Sequence, residues 1–332
     1  MKTNKEKQKL TIIKSIYNHV YEKTWKCIEY DCDESAINSH LLQRHGILDN
    51  ITENNHTYEV RGGDMMRWDE KNPPLFLFKL VGIQQAISLP IFCTHHDNSL
   101  FYDIEHGDVD FDDYKVQLLF SYRALCAEIR KKEINKEVNK RMRASRELNV
   151  KQGFEDIINM QDKGYDLGLR DLNTYRDEIL SELAAPSGLF IFKHYSYPAL
   201  GVYASASFSY DEDGSSAFGV QKSMEGEVWD NCFIHILPLK DSTEIIVGYS
   251  SNRTNQYLSD YIDSWANLDV DSLGVKLTDL FAGHIESWGL SPVLYRKIEE
   301  KNKKKYCDYV REHASDYMIM QRVGFNLFEN CF

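Results

Sequence analysis

The sequence has no apolar run approaching the roughly 20 residues that span a bilayer. Its first residues, MKTNKEKQKL, lead into an amphipathic stretch and not into the uninterrupted apolar core of an export signal. Membrane association is therefore not expected, and the cytoplasm is the expected location. Positive charge is in short supply: 39 lysines and arginines stand against 51 aspartates and glutamates, a formal net charge of −12. At that charge bulk attraction to nucleic acid or anionic lipid is disfavoured, so any nucleic-acid contact must come from a local basic patch. There is no GxxxxGK(S/T) loop and no GxGxxG after a strand, which removes the common Gly-rich routes to nucleotide binding. Gly-x-Ser-x-Gly is missing as well, and with it the nucleophile elbow of the α/β hydrolases. No internal repeat or low-complexity linker interrupts the chain.

Seven cysteines spread over 332 residues are too few and too odd for a secreted disulfide framework, and suit a reducing compartment. Cys126, Cys232, Cys307 and Cys331 have no cysteine or histidine at ligand spacing and read as buried or incidental thiols. The remaining three do. Cys27 and Cys32 bracket the turn Ile28-Glu29-Tyr30-Asp31, and far along the chain Cys93-Thr94-His95-His96 supplies a second pair. Zinc favours thiolate and imidazole, and four such ligands in two pairs make the closed tetrahedral site used for structure. Such a site clamps two distant pieces of chain. The expected Zn²⁺ ligands are Cys27, Cys32, Cys93 and His96; His95 competes for the last position, and the CxxH register favours His96.

The chain can bury at least one full core. Residues 6–24 carry Leu10, Ile13, Ile16, Tyr17, Val20 and Tyr21 at helical spacing. Residues 25–112 hold the cysteine and histidine cluster, with a turn signal at Asn72-Pro73-Pro74. From Tyr114 to Leu183 two apolar stripes, Leu118, Tyr122, Leu125, Ile129 and then Phe154, Ile158, Tyr165, Leu169, Leu172, Ile179, Leu183, predict a long antiparallel helical hairpin. Between Ile129 and Asn149 the apolar face thins and turns basic, which predicts a hairpin tip leaving the body. Residues 188–195, 200–210, 232–239 and 244–250 predict strands of an antiparallel meander, with Asp211-Glu212-Asp213-Gly214 among its turns. Helical spacing returns after Thr254, through Leu273, Leu277, Leu280, Phe281, Ile285 and Trp288. The expected fold class is α+β in three parts: a zinc-binding, treble-clef-like module with its leading helix over 1–113, the hairpin over 114–184, and over 185–332 an antiparallel sheet with helices on one side.

The order Cys27-x4-Cys32, Ser39-His40-Leu41-Leu42, then Cys93-x2-His96-Asp97-Asn98 with Phe101 and Glu105 resembles the HNH, or ββα-metal, treble-clef nuclease module over about residues 25–106. The resemblance implies His40 as the general base that activates water, and Asp97 as a carboxylate able to hold Mg²⁺ or Mn²⁺ through oxygen. It departs at Ser39, where the family carries an acidic residue or another histidine, and a serine is a poor anchor for a divalent ion. Asn38 and Asn98 are candidates for the asparagine that orients the base. Against these roles stand a structural one for His40 inside the clef and helix N-capping for Asp97.

Lys132, Lys136, Lys140 and Arg143 recur at about one-turn spacing in the basic stretch. They either track phosphates or form an exposed coiled-coil face. His284, Glu286 and Trp288 cluster near a predicted helix end, where they either line a pocket or make the ordinary core contacts of a helix face. Two functions follow from the resemblance. One is a zinc-stabilised binding or sensing protein, self-associating through the hairpin, with DNA, RNA or a protein of the same system as partner, in a bacterial system acting on foreign nucleic acid such as phage defence. The other is a metal-dependent HNH-like nuclease with His40 as base. A third possibility leaves function to the C-terminal sheet.

Overall fold

A computed structural model describes residues 4–62, 76–148, 153–210, 225–253, 256–313 and 322–332. The turns read at Asn72-Pro73-Pro74 and Asp211-Glu212-Asp213-Gly214, and the hairpin break at Asn149, lie outside these residues. The architecture is α+β, as the periodicities require. The chain opens on α1 (Asn4–Tyr21) and runs through β1 (Asn38–His40), β2 (His56–Gly62), β3 (Phe76–Gly82) and β4 (Ser88–Pro90) to two short helices, α2 (Thr94–Leu100) and α3 (Tyr102–Glu105). The hairpin is α4 (Tyr114–Ala144) and α5 (Phe154–Ala184). Strands β5 (Phe190–Pro198), β6 (Val202–Phe208), β7 (Cys232–Pro238) and β8 (Ser242–Ser250) follow, then α6 (Gln256–Asp263), α7 (Val270–Gly283), β9 (Trp288–Leu290), α8 (Pro292–Lys297) and α9 (Glu300–His313).

Among the described residues one sheet has seven strands, in the order β3-β2-β9-β6-β7-β8-β5, all antiparallel. Strands β6, β7 and β8 form the expected meander. Strand β5 does not lie beside β6; it pairs along its whole length with β8, from Phe190↔Ser250 to Pro198↔Ser242. The link from β5 to β6 therefore crosses the ends of two strands, and Gly201 at φ +73° makes that turn possible. A side chain there would also meet Ser291 Oγ at 2.8 Å. Strand β9 joins the two ends of the chain by pairing with β2 (Tyr58↔Leu290, Glu59↔Gly289) and with β6 (Val202↔Leu290 to Ala204↔Trp288). Gly289 is required there, because a Cβ would sit 2.3 Å from the Tyr203 ring.

Every residue of β6 and β7 is buried, so these strands are covered on both faces. Tyr203, Phe233, Leu237 and Ile246 pack with Leu118, Phe120, Tyr122 and Leu125 of α4; Ile234, Ile236, Ile245 and Val247 pack with Leu258, Leu273, Leu277 and Phe281 of α6 and α7. Helices thus lie on both sides of the sheet and not on one. The layer missing from the sequence reading is the hairpin itself. Its apolar stripe, Leu118, Tyr122, Leu125 and Ile129, is at most 2% exposed, and this chain's own core covers it.

The basic end of α4 does not leave the body as expected. Ile134 and Val138 are buried against Val20 and Trp25, so α1 covers that part of the hairpin. Two of the cations there pair with carboxylates on α5, and Arg130, Lys131 and Arg141 pair with carboxylates of α4 itself. Lys136 pairs with Asp166, Arg143 with Asp162 at 2.8 Å, and the Asn139 amide donates to Asp162 at 2.8 Å. Of the four cations expected to be exposed, Lys132, Lys136 and Arg143 are only part-exposed; Lys140 alone stands fully in solvent. Part-exposed cations that pair across and along the hairpin add little stability each, and in sequence they look the same as a phosphate track.

Candidate metal centre

Cys27, Cys32, Cys93 and His96 converge, with their ligand atoms all within 4.8 Å of one another. Sγ of Cys27 and Sγ of Cys93 lie 3.4 and 3.3 Å from His96 Nδ1, and Sγ of Cys32 lies 3.9 Å from Sγ of Cys93. A tetrahedral zinc with ordinary bond lengths spaces its sulfur and nitrogen ligands by about 3.6–3.8 Å, so the donor set and its dimensions fit Zn²⁺. All four positions come from protein side chains. His95 is exposed and outside the cluster, which leaves the closing position to His96.

Local backbone makes this convergence possible. The Cys27–Cys32 turn closes through the amide of Cys32 to the Glu29 carbonyl at 3.3 Å, with Asp31 at φ 58°. Cys93 caps α2, its sulfur accepting the His96 amide at 3.5 Å, so the first helical turn delivers His96. Burial pushes the Cys27 thiol up to about 11; at Cys93 burial acts the same way, but the His96 amide and neighbouring groups outweigh it and hold the thiol low. Strand β1 pairs with β4 (Asn38↔Pro90 to His40↔Ser88), so the sequence turn, strand pair, helix is complete around the four ligands. The whole segment carrying β2 and β3 is inserted between the two paired strands.

The hairpin grips this module. Tyr122 OH donates to Glu29 Oε1 at 2.6 Å, Arg176 Nη2 donates to the Ile28 carbonyl at 2.8 Å, and Arg130 Nη2 to the Lys26 carbonyl at 2.6 Å. The Arg176 guanidinium also lies 3.9 Å above the Tyr30 ring.

His40 and Asp97 stand close enough to influence each other's charge. His40 Nε2 donates to the Ile83 carbonyl at 3.0 Å, leaving Nδ1 as the basic nitrogen, and burial holds the imidazole below its ordinary range. Asp97 sits in the first turn of α2; burial pushes its carboxyl up, with Arg123 and the Ser39 hydroxyl opposing, and its Oδ1 is buried without a hydrogen-bond partner. Asp97 is not the cap; Cys93 is. Ser39 is fully buried, its Oγ accepting the Phe92 amide at 3.2 Å. Asn38 Nδ2 donates to Ser88 Oγ at 2.7 Å, bracing the strand pair, and Asn98 is exposed.

Arg123 is the residue that sequence reasoning missed. It is 1% exposed, its Nη1 donates to Glu105 Oε1 at 2.5 Å, and its guanidinium lies 4.0 Å over the Phe101 ring. A lone arginine inside the apolar run Leu118–Ile129 was the available signal, since a buried cation requires a partner. Beside His40 an open polar cleft of about 830 Å³ is lined by Arg44, His45, Asp49, His56 and the Ile83–Gln85 backbone. Asp49 Oδ2 lies 2.7 Å from His45 Nδ1, and Arg44 Nη2 lies 2.7 Å from the other ring nitrogen.

No family model, curated protein or solved structure matches this chain. Among the described residues no helix is long and apolar enough to cross a membrane.

Proposed function

We propose that this chain is a zinc-stabilised binding or sensing protein that engages nucleic acid through an HNH-like treble clef, in a system directed at foreign nucleic acid. The observation that carries the binding reading over the hydrolytic one is Arg123. Its guanidinium stands beside Asp97, the carboxylate through which a clef of this kind would hold a hydrolytic cation, and is paired with Glu105. A fixed positive charge at that position disfavours a second cation beside Asp97. Contact with the phosphate backbone falls to the polar cleft beside His40, where Arg44, His45 and His56 are within reach of solvent. The paired cations of α4 are less available. Self-association remains part of this proposal only through what the hairpin leaves uncovered, Ile157 at 54% and Met160 at 53% exposure.

The test is fluorescence anisotropy on short DNA and RNA over a salt series, with cleavage followed in the same samples under Mg²⁺ and Mn²⁺. Binding without cleavage is expected, with log affinity falling by about 0.9 per duplex phosphate contacted for each decade of salt. Arg44→Glu should weaken it more than Lys136→Glu. Salt-independent affinity, or none, would end the nucleic-acid reading. The rival is a metal-dependent nuclease with His40 as base, favoured by the proximity of His40 and Asp97. Metal-dependent cleavage that His40→Ala abolishes, with zinc content intact, would replace the binding reading with it.

A further inference from the structure

Helices α6 and α7 and residues 322–326 border an open cavity of about 800 Å³ that shares no residue with the Cys3His cluster or with the cleft beside His40. That volume lies within the roughly 300–1,000 Å³ typical of small-molecule sites. Tyr210 and Tyr261, with ring centroids 4.2 Å apart, form an aromatic wall. Lys276 and Arg322 bring two cations into the same space against one inner carboxylate, Asp279, which already accepts the Val323 amide at 2.8 Å. Lys276 Nζ donates to Ser264 Oγ at 2.5 Å and lies 4.7 and 5.0 Å from the ring centroids of Tyr261 and Trp265. Its charge is thus held by a hydroxyl and aromatic faces. Asp260 and Asp271 stand exposed at the rim.

The third feature is His284, just after α7. Its ring lies 5.4 Å from that of Phe208 and 5.5 Å from that of Tyr210, and its Nδ1 is buried with no hydrogen-bond partner. The sequence singled out His284 beside Glu286 and Trp288; all three border a neighbouring cavity of about 650 Å³, and of the three only His284 also lines this one. Trp288 is core, stacked on Phe281 at 4.1 Å; Glu286 is exposed; His284 lines this cavity.

Each group fits one part of a single ligand. Tyr210, backed by Tyr261 and flanked by the His284 ring, takes a planar ring face, and Lys276 with Arg322 take an anionic group. The rim carboxylates disfavour a ligand carrying a chain of anionic groups, such as a triphosphate. We propose that this cavity binds a small molecule built from a planar aromatic ring bearing one anionic group. Burial lowers Lys276 to about 8, with Asp279 opposing, and an arriving anion relieves that penalty.

Mononucleotides and aromatic carboxylates both have this chemistry, and one experiment separates them. Isothermal titration of the full chain uses AMP, GMP, CMP and UMP, their nucleosides and triphosphates, and indole-3-acetate beside indole-3-ethanol. At least one monoanionic-group ligand is expected to bind about tenfold tighter than its uncharged counterpart and tighter than any triphosphate, the size of one charge-assisted hydrogen bond. Binding of a mononucleotide, or of indole-3-acetate, supports the proposal and assigns the source. Lys276→Met should erase the preference for the charged ligand; Arg322→Gln, at an exposed position, should reduce it even if the Lys276 variant fails to fold. No binding at millimolar ligand, equal binding of charged and uncharged forms, or binding that both variants leave unchanged would overturn the proposal.

Discussion

Cys93 serves two purposes at once: its sulfur belongs to the four-ligand cluster and also caps α2, so the helix start and the metal site are built together. The spacing of the cysteines was enough to find this site, because a turn and a helix start are local and bring each pair together within a few residues. The charge that surrounds it was not legible, because Arg123, Glu105 and Phe101 come from different elements and meet only after packing. Purified protein is expected to retain about one zinc per chain after dialysis against a mild chelator. Cys93→Ser and His96→Gln should lose the metal, whereas His95→Ala should keep it, since His95 stands in solvent outside the cluster. Elemental analysis of the four proteins checks this. Loss of zinc in the His95 variant, with retention in the His96 variant, would reverse the assignment.

Helix α4 carries most of what separates expectation from structure. Its first half presents Phe120 and Ser121 toward the sheet, and there His235 of β7 is fully buried, with Nδ1 3.0 Å from Ser205 Oγ and Nε2 3.3 Å from Ser121 Oγ. Burial holds this imidazole down at about 3. In the unfolded chain it takes a proton near pH 6.5. Between those values the unfolded state binds one more proton than the folded state, so stability falls as the pH falls below about 6.5, by about 1.4 kcal/mol per unit. Urea unfolding of wild type and His235→Gln at several pH values isolates this contribution, because His40 and His284 shift the same way and remain in both proteins. Equal slopes would show that His235 is protonated in the native state. Strands β5 to β8 were readable because alternation and β-branched runs are local signals. Three others were not: β9 is only Trp288-Gly289-Leu290, its apolar residues continue the helical spacing of α7, and β2 and β3 lie within residues 25–112, where the cysteines and histidines dominated the reading.

The whole molecule is held by contacts that run from the first third of the chain to the last. Strand β2 pairs with β9, and Glu59, buried on β2, accepts Tyr203 OH at 2.9 Å and the Ile87 amide at 2.8 Å, while Thr57 Oγ1 lies 2.9 Å from the same tyrosine hydroxyl. Arg296 of α8 makes two bonds to Glu53, at 2.7 and 2.6 Å. Strands β2 and β3 are themselves inserted between β1 and β4, the pair that the four-ligand cluster secures. Loosening the metal site therefore loosens both ends of the insert that completes the sheet. The expected outcome is one unfolding transition for the full chain, and a chelator that strips zinc should move that whole transition to lower temperature instead of creating a separate early one. The fragment 114–332 lacks β2 and leaves the β9 edge, with the hydroxyl of Tyr203, short of its partners; an unpaired edge of this kind predicts poor solubility. Calorimetry of the full chain with and without chelator, alongside expression of the fragment, tests the coupling. Two well-separated transitions, or a soluble fragment with a native near-ultraviolet spectrum, would mean that the sheet folds without the metal-bound module.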